Sequence, residues 1–250
     1  MSIKITSTVI YSLLLGICTH AQQNDTLQHK STLLDLSATV GSSQATIAGA
    51  YVYNWRIGKK KKFEAGVGLR NTAYFGTKKD FITAGPASLT RTYTTPFLIF
   101  FAGQRQENFD TLTVQRPFTN SLNATANFGY HFSNRLLVGF NIDLIGFTIG
   151  ANTSAIFKSN GETITEPVAK PAAFNLLLTG DHDKGSLNSE FFVQYKIADR
   201  WSVKALYQFI FIEYKTTTVT QVAEDGTTVT RFRNKANNIG LGISYNLGKK

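Results

Sequence analysis

Apolar and polar residues alternate along eight stretches of this chain. Residues 32–40 set Leu34, Leu36, Ala38 and Val40 against Asp35, Ser37 and Thr39, and residues 45–57 set Ile47, Tyr51, Tyr53 and Trp55 against Thr46, Ala48, Asn54 and Arg56. Residues 63–75 oppose Phe63, Ala65, Val67 and Leu69 to Glu64, Gly66, Gly68, Arg70 and Thr72. A period of two is that of a strand whose faces meet different environments. The run over 118–132 is the most regular, with Leu122, Ala124, Ala126, Phe128, Tyr130 and Phe132 between Ser121, Asn123, Thr125, Asn127, Gly129 and His131. Residues 136–150 oppose Leu136, Val138, Phe140, Ile142 and Leu144 to Gly139, Asn141 and Asp143. In 187–197 Phe191, Val193, Tyr195 and Ile197 oppose Glu190, Gln194 and Lys196, and Phe192 breaks the alternation. Residues 201–214 carry Trp201, Val203, Ala205, Tyr207, Phe209 and Phe211 on one face, while Leu206, Ile210 and Ile212 mix with Ser202, Lys204 and Gln208 on the other. The last run, 237–247, alternates Ile239, Leu241, Ile243, Tyr245 and Leu247 with Asn238, Gly240, Gly242, Ser244 and Asn246.

The connections alternate in length as well. Residues 58–62, 133–135 and 198–200 are tight turns, whereas 76–117, 151–186 and 215–234 are long, and 41–44 is short. Together these predict an all-β protein: an eight-stranded, up-and-down antiparallel transmembrane β-barrel in a cell outer membrane, with tight turns and both termini in the periplasm and long loops outside the cell.

A soluble lipocalin-like barrel also alternates, so the position of the charges has to separate the two. Asp35, Glu64, Arg70, Asn141, Asp143, Glu190 and Lys204 share the polar faces with several glycines and compose a narrow polar lumen. Tyr53, Trp55, Phe63, Tyr130, Phe132, Tyr195 and Trp201 gather near the tight turns on the other face, as an interfacial aromatic girdle does. A barrel with its apolar face inward would strand the glycines and carboxylates outside.

Residues 1–21 read as a signal peptide, with Lys4 before an apolar run from Val9 to Ile17 and cleavage after Ala21. Lipidation at Cys18 is the rival, disfavoured by the bulky Ile17 before it. Residues 22–31 form a short N-terminal segment and 32–250 the barrel domain. The remaining chain has 25 basic against 16 acidic residues and no cysteine, which removes disulfides and thiolate chemistry. Lys59 to Lys62 and Lys249-Lys250 lie in a turn and at the terminus, so the basic balance reads as solvated flanks facing anionic lipid or the periplasm, not as a nucleic-acid surface.

The strand-turn-strand Tyr195-Lys196-Ile197-Ala198-Asp199-Arg200-Trp201, the segment from Gly185 to Phe191 and the ending from Gly240 to Leu247 resemble outer-membrane β-barrel proteins of the Bacteroidota, in the small OmpA-like and OmpX-like group. Asn238, Gly240, Ile243 and Tyr245 fit the terminal-strand pattern that the outer-membrane assembly machinery reads in that family, although the chain continues past it to Lys250. The resemblance implies a location more than an activity. Expected partners are outer-membrane lipid, lipopolysaccharide and that machinery, around a monomer.

Candidate chemistry is sparse. His131-Phe132-Ser133-Asn134 resembles the His-x-Ser-Asn motif of lipid A deacylases similar to PagL, but it falls at a periplasmic turn with His131 on the lumen face. Asp181-His182-Asp183-Lys184-Gly185 opens like a calcium loop, yet glycine stands one place early and Phe192 takes the position of the bidentate carboxylate. The four histidines have no ligand spacing, so neither a metal nor any other cofactor is expected. Two apolar runs in the predicted loops, with Phe97, Leu98, Phe100 and Phe101 in one and Leu176 and Leu178 in the other, read either as additional strand or as a hydrophobic site at the outer mouth. Arg91, Arg105 and Arg116 share the loop of the first run and stand as solvated charges or contacts to lipid phosphate. The expected role is structural, surface-interacting or minor transport without catalysis; a carrier of small hydrophobic molecules is the alternative, and a lipid A hydrolase the third reading.

Overall fold

The computed structural model describes residues 29–95, 101–178 and 182–248. The expected signal peptide, nearly all of the segment after it, Phe97, Leu98, Phe100 and Asp181 lie outside those residues.

Eight long strands carry the alternating runs: β1 (Lys30–Val40), β2 (Gln44–Ile57), β3 (Phe63–Gly76), β6 (Phe118–His131), β7 (Leu136–Gly150), β11 (Leu187–Lys196), β12 (Trp201–Lys215) and β15 (Arg231–Asn246). Each pairs antiparallel with the next, and β15 returns to β1 through Leu33↔Asn246 to Val40↔Ile239, so the ladder closes on itself. A closed ring leaves no free edge and satisfies every interior backbone group. The turns at 58–62, 132–135 and 197–200 gather at one end. Among the described residues no helix is long and apolar enough to cross a membrane.

The ring is inside-out relative to a soluble protein. Leu36 (53% exposed), Ile47 (54%), Leu69 (54%), Phe128 (53%), Phe191 (52%) and Leu241 (72%) face outward. Inward stand Asn54, Glu64, Arg70, Asn123, Asp143, Glu190, Lys204 and Gln208, all buried. One detail of β7 follows from a register shift at Ala124/Thr125, where Leu144 is the extra residue and both Leu144 and Ile145 point outward. Beyond this bulge the inward parity changes from Asn141 and Asp143 to Gly146 and Thr148.

The expectation of eight strands joined by long loops undercounts the sheet, which holds thirteen strands. The three connections contain β4 (Lys79–Thr83) and β5 (Thr111–Val114), then β8 (Thr153–Ser159), β9 (Glu162–Pro171) and β10 (Phe174–Leu176), then the small hairpin β13 (Gln221–Val222) and β14 (Thr228–Val229). β15 also begins earlier than the sequence suggests, at Arg231. The added strands build a second ring on the upper ends of β12 and β15. Lys215 pairs with Arg231, Phe232 with Thr83, Lys79 with Val114, Val114 with Ala155, Phe157 with Ile164, and Lys170 with Lys215, which closes the cycle β12-β15-β4-β5-β8-β9.

In this upper ring the polarity reverses. Phe81, Leu112, Val114, Phe157, Tyr214 and Phe232, all at most 4% exposed, form an apolar core with Tyr74, Ile210 and Ile212 from the long strands. Phe81 stacks edge-on against Tyr214 at 5.2 Å, and Phe157 against Phe232 at 5.7 Å. The mixed face of 201–214 is thereby explained: its lower part lines the polar lumen and its upper part the apolar core.

Candidate functional site

The lumen is filled by ion pairs and amides. Arg70, on β3, donates to Asp143 of β7 from Nε at 3.0 Å and from Nη2 at 2.6 Å, and its Nη1 lies 3.0 Å from Glu190 of β11. Asp143 also accepts from Asn123 Nδ2 at 2.7 Å and from the Asn188 amide at 2.9 Å, so both carboxylate oxygens are occupied. Lys204 of β12 bonds Asp35 of β1 and sits 4.5 Å from the Phe192 ring centre. Nearer the tight turns, Glu64 accepts from Asn54 Nδ2 at 3.1 Å and pairs with His131 Nε2 at 2.7 Å. A further layer joins Thr39, Thr46, Gln208 and Asn238 through bonds of 2.7–3.1 Å. A buried charge is tolerated when paired and hydrogen-bonded.

Six of the seven residues expected in the lumen fall into three groups: Arg70, Asp143 and Glu190 form one cluster, Asp35 and Lys204 a second, and Glu64 belongs with His131, which the sequence already placed on the lumen face. Asn141 lines a cavity of about 10 Å³ with Asp35, Glu64, Gln194 and Lys204, room for about one water molecule. Phe192, Leu137 and Leu206 add an apolar plug inside the ring, so the break in the alternation at Phe192 marks an inward aromatic residue. Among the described residues, these layers and the apolar core above them fill the interior of the ring.

Half of the expected hydrophobic loop site, Phe97, Leu98 and Phe100, lies outside the described residues, and the second apolar run takes the other course the sequence allowed, additional strand. Phe174, Asn175 and Leu176 pair with Phe147, Gly146 and Ile145, and so patch the barrel wall above the end of β11. Phe174 faces outward against Phe147 at 5.9 Å, while Asn175 faces inward and donates to Asn123 Oδ1 at 2.7 Å. Leu178 is held at the base of the next loop by Asp183, whose Oδ1 accepts from its amide at 2.7 Å. The physical reason is continuity: the wall between β7 and β12 needs hydrogen-bond partners above Leu187, and this run supplies them. Phe101 is 87% exposed.

Nor does the hydrolase-like motif form a nucleophile and base. Ser133 Oγ accepts from the Arg135 and Leu136 amides at 3.2 and 3.0 Å, capping its turn, while the His131 ring is committed to Glu64. Asp183 spends its Oδ1 on the Leu178 amide, and among the described residues no group of three or more His, Cys, Asp or Glu is placed to hold a metal.

Two polar centres escaped the sequence reading. Glu213 accepts from Arg231 at 2.7 and 2.8 Å and from Arg233 at 3.0 Å on the outer face of β12 and β15. Glu166, 0% exposed inside the upper ring, accepts from the amides of Val168, Thr217, Thr218 and Val219 at 2.9–3.2 Å and from Thr217 Oγ1 at 2.9 Å. Burial works to raise the pKa of this carboxyl, but the amide bonds outweigh it and hold it below the ordinary value. A signal for the surrounding strands was present in Asn160-Gly161, both at positive φ in the two-residue turn between Ser159 and Glu162.

No family model matches the chain, and no curated protein matches it. Among solved structures, it is similar to Neisserial surface protein A, at 10% identity and a TM-score of 0.35 over 87% of this chain and 97% of that one. It is also similar to Ail, the attachment invasion locus protein of Yersinia pestis, at 10% identity and a TM-score of 0.36 over 88% and 100%. The toluene transporter TodX of Pseudomonas putida follows at 9% identity and 0.28, over 90% and 81%. At these values the likeness assigns neither family nor role, and the ladders themselves define the fold.

Proposed function

We propose that this protein is an outer-membrane β-barrel that holds a closed, compact head above the outer leaflet, with a structural or surface-interacting duty and no catalysis. The observation that carries this reading is the reversal of polarity along one continuous wall. The long strands are apolar outside and polar within, as lipid demands, while the upper ring is apolar within, as water demands. On β3, the stretch from Phe63 to Phe75 separates two aromatic levels, marked by Phe63–Tyr130 at 4.9 Å and Phe75–Phe118 at 5.2 Å. Twelve residue steps rise ~40 Å along a strand, or ~30 Å at a tilt of ~40°, which matches the hydrocarbon thickness of a bilayer.

A carrier of small hydrophobic molecules draws less support, because the described part of the second apolar run is wall and the apolar core above the lumen is packed. The test is heat-modifiable gel mobility of the outer-membrane fraction, with an epitope inserted between Asn160 and Gly161. A mobility shift and antibody binding to intact cells are expected; recovery in soluble periplasm without a shift, or binding only after lysis, overturns the reading.

A further inference from the structure

The outer face of β15 changes from apolar to cationic within a few residues. Ile239 and Leu241 are 67% and 72% exposed, Lys235 above them is exposed, and Arg233 above it is only 4% exposed. Across the ladder Phe211 is the register partner of Lys235, whose Nζ lies 5.5 Å from that ring centre, and Arg233 Cζ lies 5.4 Å from the same ring. Arg233 and Lys235 line a shallow, solvent-open recess of about 20 Å³ with Thr83, Thr90, Gln104 and Phe109.

Cations gather on this part of β15: Arg231 and Arg233 share the single carboxylate of Glu213, and Lys235 stands exposed beside them. Arg233 also donates from Nη2 to the Asp183 carbonyl, but its Nε is buried with no hydrogen-bond partner. An unsatisfied buried guanidinium nitrogen is costly, and an anionic oxygen is the acceptor that relieves it best.

We propose that this recess binds the phosphate group of an anionic lipid in the surrounding leaflet, with Arg233 and Lys235 as its cations. The inference rests on the membrane reading above, which puts Phe211 and Lys235 at the level where acyl chains give way to headgroups. A lipid, not a free phosphate, is the ligand because the surface directly below the cations is apolar: Ile239, Leu241 and Tyr207 receive the chains while the recess receives the headgroup.

The test uses the full chain in phosphatidylcholine nanodiscs doped with diphosphorylated lipid A or with its dephosphorylated form, with bound lipid counted by native mass spectrometry. The wild type retains the phosphorylated lipid, and Lys235→Glu and Arg233→Gln each lower its retention about tenfold. Lys158→Glu, on β8 across the upper ring, leaves it unchanged. Lys235 is exposed, so its variant folds even if the Arg233 variant does not. Equal retention of the dephosphorylated lipid, or undiminished retention in Lys235→Glu, overturns the proposal. Stabilisation of the detergent-solubilised protein by inorganic phosphate to the same degree reassigns the site to a free anion and overturns the lipid assignment. A wild-type chain without heat-modifiable mobility sinks the membrane reading itself, whereas a normal shift without phosphate preference sinks only this proposal.

Discussion

Gly139 and Phe192 face one another across the β7–β11 ladder, and a Cβ built on Gly139 would lie 2.3 Å from Phe192 Cζ. The aromatic ring occupies the space that the missing side chain leaves, which is how a narrow polar lumen accommodates an inward phenylalanine. Gly139→Ala is therefore expected to destabilise the barrel by about 1–3 kcal/mol, through overpacking against Phe192 and the Phe128 carbonyl. Urea unfolding in lipid vesicles reads this, and Phe192→Leu in the same chain should recover part of the loss.

Arg70 is the shared cation of Asp143 and Glu190, with Asp143 0% exposed. Arg70→Met leaves two buried carboxylates uncompensated and should cost about 3–5 kcal/mol. Adding Asp143→Asn and Glu190→Gln removes the orphaned charges, so the triple variant should unfold closer to the wild type than the single one. A triple variant no better than Arg70→Met would show that the arginine matters through packing alone.

Glu166 makes the upper ring sensitive to acid. Its folded pKa lies below the ordinary 4.5, so its contribution to stability is fully present above that value and is lost as pH falls through the lower folded value. Amide hydrogen exchange of residues 216–220 in vesicle-bound protein should keep its protection from neutral pH down through the ordinary carboxyl value of 4.5 and lose it only at more acid pH. Glu166→Gln should weaken that protection at neutral pH by about 1–3 kcal/mol and abolish its dependence on pH. Identical exchange profiles for the two proteins would exclude the carboxylate as the clasp.

In planar bilayers the protein should give no unitary conductance steps. The lumen cavity of about 10 Å³ is closed off by the plug of Leu137, Phe192 and Leu206 and by the apolar core that contains Tyr74 and Ile212. Stable steps from purified wild-type protein would contradict a closed lumen.

The long strands were legible because their environment is uniform over many residues. From Phe63 to Tyr74 every second side chain meets the same solvent, so alternation survives in the sequence. The bulge at Leu144 was not read from the sequence, although the two successive apolar residues Leu144 and Ile145 mark where the alternation changes phase. The upper strands were harder to read: β4, β5 and β10 are only five, four and three residues long, and over such lengths a period of two is indistinguishable from chance. Asn160-Gly161 and Asp225-Gly226 were the turn signals for their hairpins.

By itself, the sequence determined the eight alternating runs, their tight turns and which face of each is polar, because these depend on local periodicity. Tertiary structure alone decided which charges meet: Arg70 reaches Asp143 and Glu190 from strands far apart in the chain, and Glu64 finds His131. It also decided that the connections would close a second ring, since the apolar faces of β4, β5, β8 and β9 are too short to be buried by any one of them. They exclude water only when the upper ends of β12 and β15 complete the circle.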